Sequence, residues 1–185
     1  TKYGIELDAL ILSGTASFIK GLGNFGLVTA SAVTTFRGRA RPNGLLKSFF
    51  FGEFNKKFKP NRTKLDWISS DEKQVDLFAE DPYRIEDFSL GVFLDVIKNS
   101  KKLNKSEAFS ATPKDLPILI FSGDKDPVGE MGKGVTRVAK QYEKRGMSDL
   151  TFNLYEGGRH EMLNETNGEA VKQELIVWLN ARVLA

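Results

Sequence analysis

Apolar positions along this chain change their spacing several times, and each change marks an element. Three short runs are apolar nearly throughout: "LDALILS" at 7–13, "LPILIFS" at 116–122 and "LTFNLYE" at 150–156. A strand with one face in water alternates, whereas a strand covered by helices on both faces does not. These runs therefore predict buried parallel strands. Helical spacing follows the second and third. In "GKGVTRVAKQYEKRG", Val135, Val138, Ala139 and Tyr142 fall on one side, and Gly146 supplies the stop. In "GEAVKQELIVWLNARVL", Val171, Leu175, Trp178 and Leu179 make a stripe at i, i+4, i+7, i+8. Strand, helix, strand, helix predicts an α/β fold with right-handed crossovers.

The stretch between the first two strands is not strand-like. Helical pieces are expected at about 20–36, 44–53, 71–80 and 85–103, separated by "RARPNG", "KPNRT" and "EDPYR". Proline beside Gly or Asn breaks a helix, so several short helices are expected instead of one long one. The middle of the chain reads as a helical lobe inserted into a parallel sheet.

Composition narrows the chemistry. The 185 residues hold no cysteine and one histidine, His160. A disulfide framework, a thiolate metal site, a Cys nucleophile and a multi-His metal site are therefore all excluded. No metal or cofactor is expected. The longest apolar runs are too short to span a bilayer and no signal peptide opens the chain, so a cytoplasmic setting is expected. Charge is uneven. From Arg37 to Lys64 there are nine basic residues against one acid, Glu53. Solvation of a helical face is the plain account of that segment, and attraction to an anionic surface or acidic substrate is the other. The interleaved Phe49, Phe50, Phe51, Phe54 and Phe58 look like a hydrophobic contact face, without a nucleic-acid-binding motif. No nucleic-acid partner is expected, and at most peripheral membrane contact.

Two motif matches fail on mechanism. "GLGNFG" at 21–26 fits a dinucleotide fingerprint, but its first Gly must leave the strand directly, and the strand ends near Ser13. "HEMLN" lacks the second zincin histidine, because Asn164 stands there. The third candidate survives. In "FSGDKDPVG", 121–129, a buried strand runs into a loop with two acids, and His160 follows the third strand just past Gly157 and Gly158. Functional groups of open α/β sheets sit in loops beyond the carboxyl ends of strands. Adjacent strands lie about 5 Å apart, so such loops can set a carboxylate against an imidazole. An Asp that accepts from the ring Nδ1–H fixes the tautomer and leaves Nε2 free to take a proton.

Together, "ILIFSGDKDPVG", then "YEGGRHEMLNE", then a final "WL" helix resemble the C-terminal half of an α/β-hydrolase. Within that superfamily the chain is similar to the lysophospholipase and monoacylglycerol lipase group, also classed with serine aminopeptidases. "LDALILSGTA" is similar to the sixth strand of the family, and "WISSDEKQVDLFAEDPY" to a stretch of its cap. The resemblance covers the whole chain, most closely at 116–179. It implies strands six to eight, with 1–15 and 112–185 as a partial hydrolase core and 16–111 as an inserted helical cap. It also implies Asp126 as the triad acid, with Asp124 as the alternative, and His160 as the base.

The family order is Ser, Asp, His, with the Ser on a G-x-S-x-G elbow. No Ser here has that setting; "GMSDL" around Ser148 comes nearest, and in "LSGTA" Leu12 and Thr15 do not build an elbow around Ser13. The resemblance places the nucleophile and oxyanion hole upstream of Thr1. The chain alone is then expected to be inactive and to need the N-terminal half of the same hydrolase. An exposed first strand is expected to self-associate. The implied reaction is hydrolysis of carboxylic esters of monoacylglycerol or lysophospholipid type. The alternatives are a peptidase or small-ester hydrolase of the same fold, and a non-catalytic binding or assembly module.

Overall fold

The structure is a computed structural model, and it describes residues 4–17, 20–40, 53–85 and 88–183. Strands β1 (Leu10–Ser13), β2 (Ile118–Gly123) and β3 (Leu150–Tyr155) lie parallel in the order β1-β2-β3. Between β1 and β2 come α1 (Lys20–Arg37), α2 (Glu72–Glu80), α3 (Leu90–Leu103) and α4 (Ser106–Ser110). Helix α5 (Lys133–Lys144) joins β2 to β3, and α6 (Gly168–Asn180) follows β3.

All three strands fall on their predicted runs, with different ends. Pro117 has no N–H to give, so β2 starts at Ile118, whose N–H donates to Asp149 O at 2.9 Å. The Pro117 carbonyl instead accepts from Leu10 N–H at 2.9 Å, which starts β1 at Leu10. Leu7, expected inside the first strand, lies outside the sheet and is exposed.

Successive residues of β2 serve two cores, as the pleat requires. Ile118 and Ile120 join Leu10, Leu12, Leu150 and Phe152 beneath α5, where Val135, Val138, Ala139 and Tyr142 are buried. Leu119 and Phe121 face the other way, onto Val171 and Trp178 of α6 and onto Met162. The Trp178 indole N–H donates to Thr151 Oγ1 at 2.9 Å, so the amphipathic stripe is also tied to β3 by a polar bond. This is a parallel sheet with helices on both faces.

In the inserted segment, Leu27, Ala30 and Val33 of α1 pack against Leu90, Leu94 and Ile97 of α3. Gly21 to Gly26 lie within α1, a backbone that offers no strand-to-helix phosphate turn. Helix α3 begins at Leu90, later than the expected 85, because Ser89 caps it by accepting from Val92 N–H at 3.4 Å. Helix α2 begins as expected, with the Asp71 carboxylate accepting from Lys73 N–H and Gln74 N–H. Helix α4 has five residues, too few to show a period in sequence. The expected helix at 44–53 lies outside the described residues, save for its last position, Glu53. Among the described residues, no helix is long and apolar enough to cross a membrane.

The two-sided burial of β2 makes Ile120, with no exposed surface, a sensitive position. Ile120→Ala is expected to cost about 2–5 kcal/mol in denaturant melts. Ile176→Ala, on the exposed side of α6, is expected to stay within about 0.5 kcal/mol of the parent.

Candidate functional site

The backbones at the carboxyl ends of β2 and β3 touch. Asp124 N–H donates to Tyr155 O and Lys125 N–H to Gly158 O, both at 2.9 Å. A Cβ added at Gly123 would lie 1.9 Å from Gly158 O, so this approach requires glycine. Beyond it, the chain carries Asp126 on one loop and His160 on the other. The Asp126 carboxylate has 0% exposure, and its Oδ2 lies 3.0 Å from His160 Nδ1. The structure thus brings together both residues named from the sequence.

Asp126 is satisfied from three directions. Its Oδ1 accepts from Val128 N–H at 2.8 Å, and Oδ2 accepts from the buried Ser122 hydroxyl at 3.3 Å as well as from the ring. A carboxylate can only accept, so the imidazole proton belongs on Nδ1 and Nε2 is the acceptor of the neutral ring. The His160 side chain keeps 28% exposure, and Nε2 has no hydrogen-bond partner among the described residues. Gly14, at φ +56°, lets the ring sit against the end of β1; a Cβ there would be 3.0 Å from Nδ1. Ser13 ends β1 with an exposed side chain and makes no described hydrogen bond to His160.

Asp124 is placed differently. Its Oδ1 accepts from Gly157 N–H at 2.8 Å and its Oδ2 pairs with Lys125 at 3.2 Å. It staples the turn after β2 to the turn after β3, and among the described residues it does not meet His160.

Several neighbours were not legible as site residues. Trp67 lies against the imidazole in a tilted arrangement, with ring centroids 5.3 Å apart and the planes at 38°. Arg159 and Glu165, which flank His160, both bond to the loop around Trp67. Beyond Asp126, the non-glycine Glu130 and Met131 both take φ +54°, a left-handed conformation costing about 1–3 kcal/mol each. The Glu130 carboxylate accepts from Arg137 and, at 3.3 Å, from Ser17 Oγ on the segment leaving β1. Trp67 stands inside the quoted "WISSDEKQVDLFAEDPY" and Arg159 and Glu165 inside "YEGGRHEMLNE", so these three carried a signal, whereas Glu130 and Met131 did not.

The basic segment is less bare than its composition implied. Arg39 pairs with Asp95 at 2.6 Å, Lys56 with Glu53, and Arg62 with Asp76 at 2.7 Å. Of its aromatics, Phe54 packs on Trp67 and Phe58 lies under Arg159, while 49–51 are outside the described residues. A polar cleft of about 120 Å³ opens between Phe58, Arg62, Asp66, Ser69, Ser70 and Arg159.

Two acids around the site are shifted. Burial pushes the Tyr155 phenol up, and its hydrogen bond to Glu174 at 2.5 Å adds to that, to about 12. For Asp66, burial would raise the carboxyl, but bonds from Thr63 Oγ1 at 2.5 Å, Thr63 N–H and Arg62 N–H outweigh it and hold it below its ordinary 3.8. A carboxyl lowered by folding stabilises the folded state above its ordinary value, and this is lost as pH falls through the folded one. The stability gap between parent and Asp66→Asn, read from urea melts, is expected to be widest near neutral pH and to shrink below about 3.8.

A family profile described as serine aminopeptidase, S33, matches residues 1–167. Among solved structures, a thermostable carboxyl esterase from Bacillus coagulans superposes with a TM-score of 0.88 at 24% identity, over 97% of this chain and 58% of that one. A lipase in its open form gives 0.79 at 26% identity, over 96% and 58%. A soluble variant of monoglyceride lipase from Saccharomyces cerevisiae gives 0.69 at 20% identity, over 98% and 55%. The chain therefore spans 55–58% of the length of these structures. No curated protein matches it in sequence. With the profile covering nearly all of it and the sheet and helices laid out as above, the chain belongs to the serine aminopeptidase family of α/β-hydrolases.

Proposed function

We propose that this chain carries the base and the acid of a cytoplasmic serine hydrolase of carboxylic esters, with His160 as the base and Asp126 as the acid. The observation that supports this most is the 3.0 Å contact between His160 Nδ1 and a fully buried carboxylate, set where two parallel strands end. In this reading residues 1–15 and 112–185 are the hydrolase core and 16–111 its cap. The nucleophilic serine and the oxyanion-hole N–H groups come from the preceding half of the same hydrolase. That half also pairs with the free side of β1, which among the described strands touches only β2.

The chemistry follows from the geometry. As the serine Oγ bonds to the ester carbonyl carbon, Nε2 takes its proton, and the Asp126 carboxylate stabilises the imidazolium. The tetrahedral adduct breaks its bond to the leaving oxygen, which receives that proton from Nε2. Water then repeats the cycle on the acyl-enzyme. For the substrate we propose an ester bearing an acyl chain, of monoacylglycerol or lysophospholipid type. Phe54 beside Trp67 supports the acyl chain. The names of the similar structures, a carboxyl esterase, a lipase and a monoglyceride lipase, support the ester. The family description favours a second reading, cleavage of a peptide bond by the same residues.

The test is fluorophosphonate labelling with nitrophenyl-ester turnover, on this chain alone and joined to the preceding half. Turnover is expected only in the joined form. There, His160→Ala should lower it by about 10⁴-fold or more and Asp126→Asn by about 10⁴-fold, with Asp124→Asn nearly unchanged. Labelling of the isolated chain that depends on His160 would place a working serine within it and sink the divided-site reading. A joined form that cleaves anilides as fast as esters would favour the peptidase. The isolated chain is also expected to self-associate through β1; a monomer by light scattering at micromolar concentration contradicts that.

A further inference from the structure

Around His160, the loop after β3 makes a dense set of polar contacts away from Asp126, with residues 66–70 of the inserted segment. Glu165, almost fully buried, accepts from Ser70 N–H at 3.0 Å, Arg159 N–H at 2.8 Å and the Ser70 hydroxyl. The Arg159 guanidinium donates to the carbonyls of Asp66 and of Ser69, the latter at 3.0 Å, and lies 4.3 Å over the Phe58 ring. Glu161 N–H donates to Ile68 O at 2.9 Å, and Ser69 Oγ donates to Asn164 O at 2.8 Å. These bonds bracket His160 on both sides in sequence, yet none of them reaches its ring. The segment meets the ring through Trp67 alone among the described contacts.

We infer that residues 66–70, gripped by Arg159 and Glu165, are a positioning element for the His160 imidazole, with Trp67 as its contact. The inference rests on the reading of His160 as the general base. A single hydrogen bond at Nδ1 leaves the ring able to pivot about that bond, which swings Nε2 through an arc. Asp126 blocks displacement on one side and Gly14 closes another. The tilted indole of Trp67, with its centroid 5.3 Å from that of the imidazole, limits the pivot. Misplacement by about 1 Å costs roughly 100-fold in rate, so a base needs such a wall. The grip has a second effect: the position of the inserted segment and the angle of the ring become one variable. Arg159, Glu165 and Trp67 act through the ring of His160 and are positioning residues.

The test needs no substrate and uses the form joined to the preceding half, with only this chain isotopically labelled; His160 is the only imidazole in the 185 residues, so its NMR signals are unambiguous. The parent chain should show ring carbon-bound protons moved upfield by the indole, and one Nδ1–H protected from exchange with water. Trp67→Leu should abolish both features, and Trp67→Phe should restore the protected Nδ1–H. Glu165→Gln, remote from the ring, should weaken the same signals. Ser70→Ala removes one hydroxyl from that grip and reads the same effect if Glu165→Gln does not fold. A grip that is structural only would lower the unfolding midpoint while leaving the imidazole signals of the folded variants unchanged, and that result overturns the inference. So does a parent ring with random-coil shifts. Failure of ester hydrolysis leaves these signals intact, so the two readings fail separately.

Discussion

A carboxylate with no exposed surface is the constraint around which this molecule is arranged. Asp126 loses its hydration entirely, which is costly unless donors replace it. Two come from its own neighbourhood, Val128 N–H and Ser122 Oγ, and the third is the ring of His160, 34 residues later. That third donor arrives only because β2 and β3 are adjacent, parallel and end at the same level. Their register pairs Gly123 with Tyr155, and the glycine contact beyond it lets the loops close on each other. The two cores on either face of β2 hold that register, so packing far from Asp126 determines whether its charge is compensated.

The same economy appears in the inserted segment. Its residues 66–70 form an irregular loop, and irregular backbone must find partners for its polar groups outside any ladder. Glu165 and Arg159 provide them, and the Asp66 carboxylate ties up the preceding turn through Arg62 N–H and Thr63. A loop that could have been solvated is instead fixed against the chain that carries His160. Loops placed by a rigid scaffold are where functional groups concentrate; here one loop is part of the scaffold for another.

Electrostatics changes most between composition and structure. Along the chain, 37–64 has a large excess of positive charge. In space, Arg39 and Arg62 are answered by Asp95 and Asp76, from α3 and α2. Exposed pairs of this kind contribute little to stability, about 0–1 kcal/mol each. They do reduce the field that the bare count suggests, and with it the argument for an anionic partner.

Much of the fold was legible because strand and helix spacings are local properties. The apolar runs located β1, β2 and β3, the stripes located α5 and α6, and loops after strands pointed to Asp126 and His160. Strand ends were less legible: Pro117, through its missing N–H and its carbonyl, set where both β1 and β2 begin. Sequence alone left two acids open, since Asp124 and Asp126 are two residues apart in one loop. In the folded loop Asp124 accepts from Gly157 N–H while Asp126 is buried against the ring. Trp67, Glu165 and Glu130 acquired their places in the same way. What the sequence by itself determined was the order of elements and the loops that could carry chemistry, because spacing encodes faces and breaks. Which side chains meet was decided by tertiary structure, because a contact over 34 or 95 residues depends on register and packing that no local pattern records.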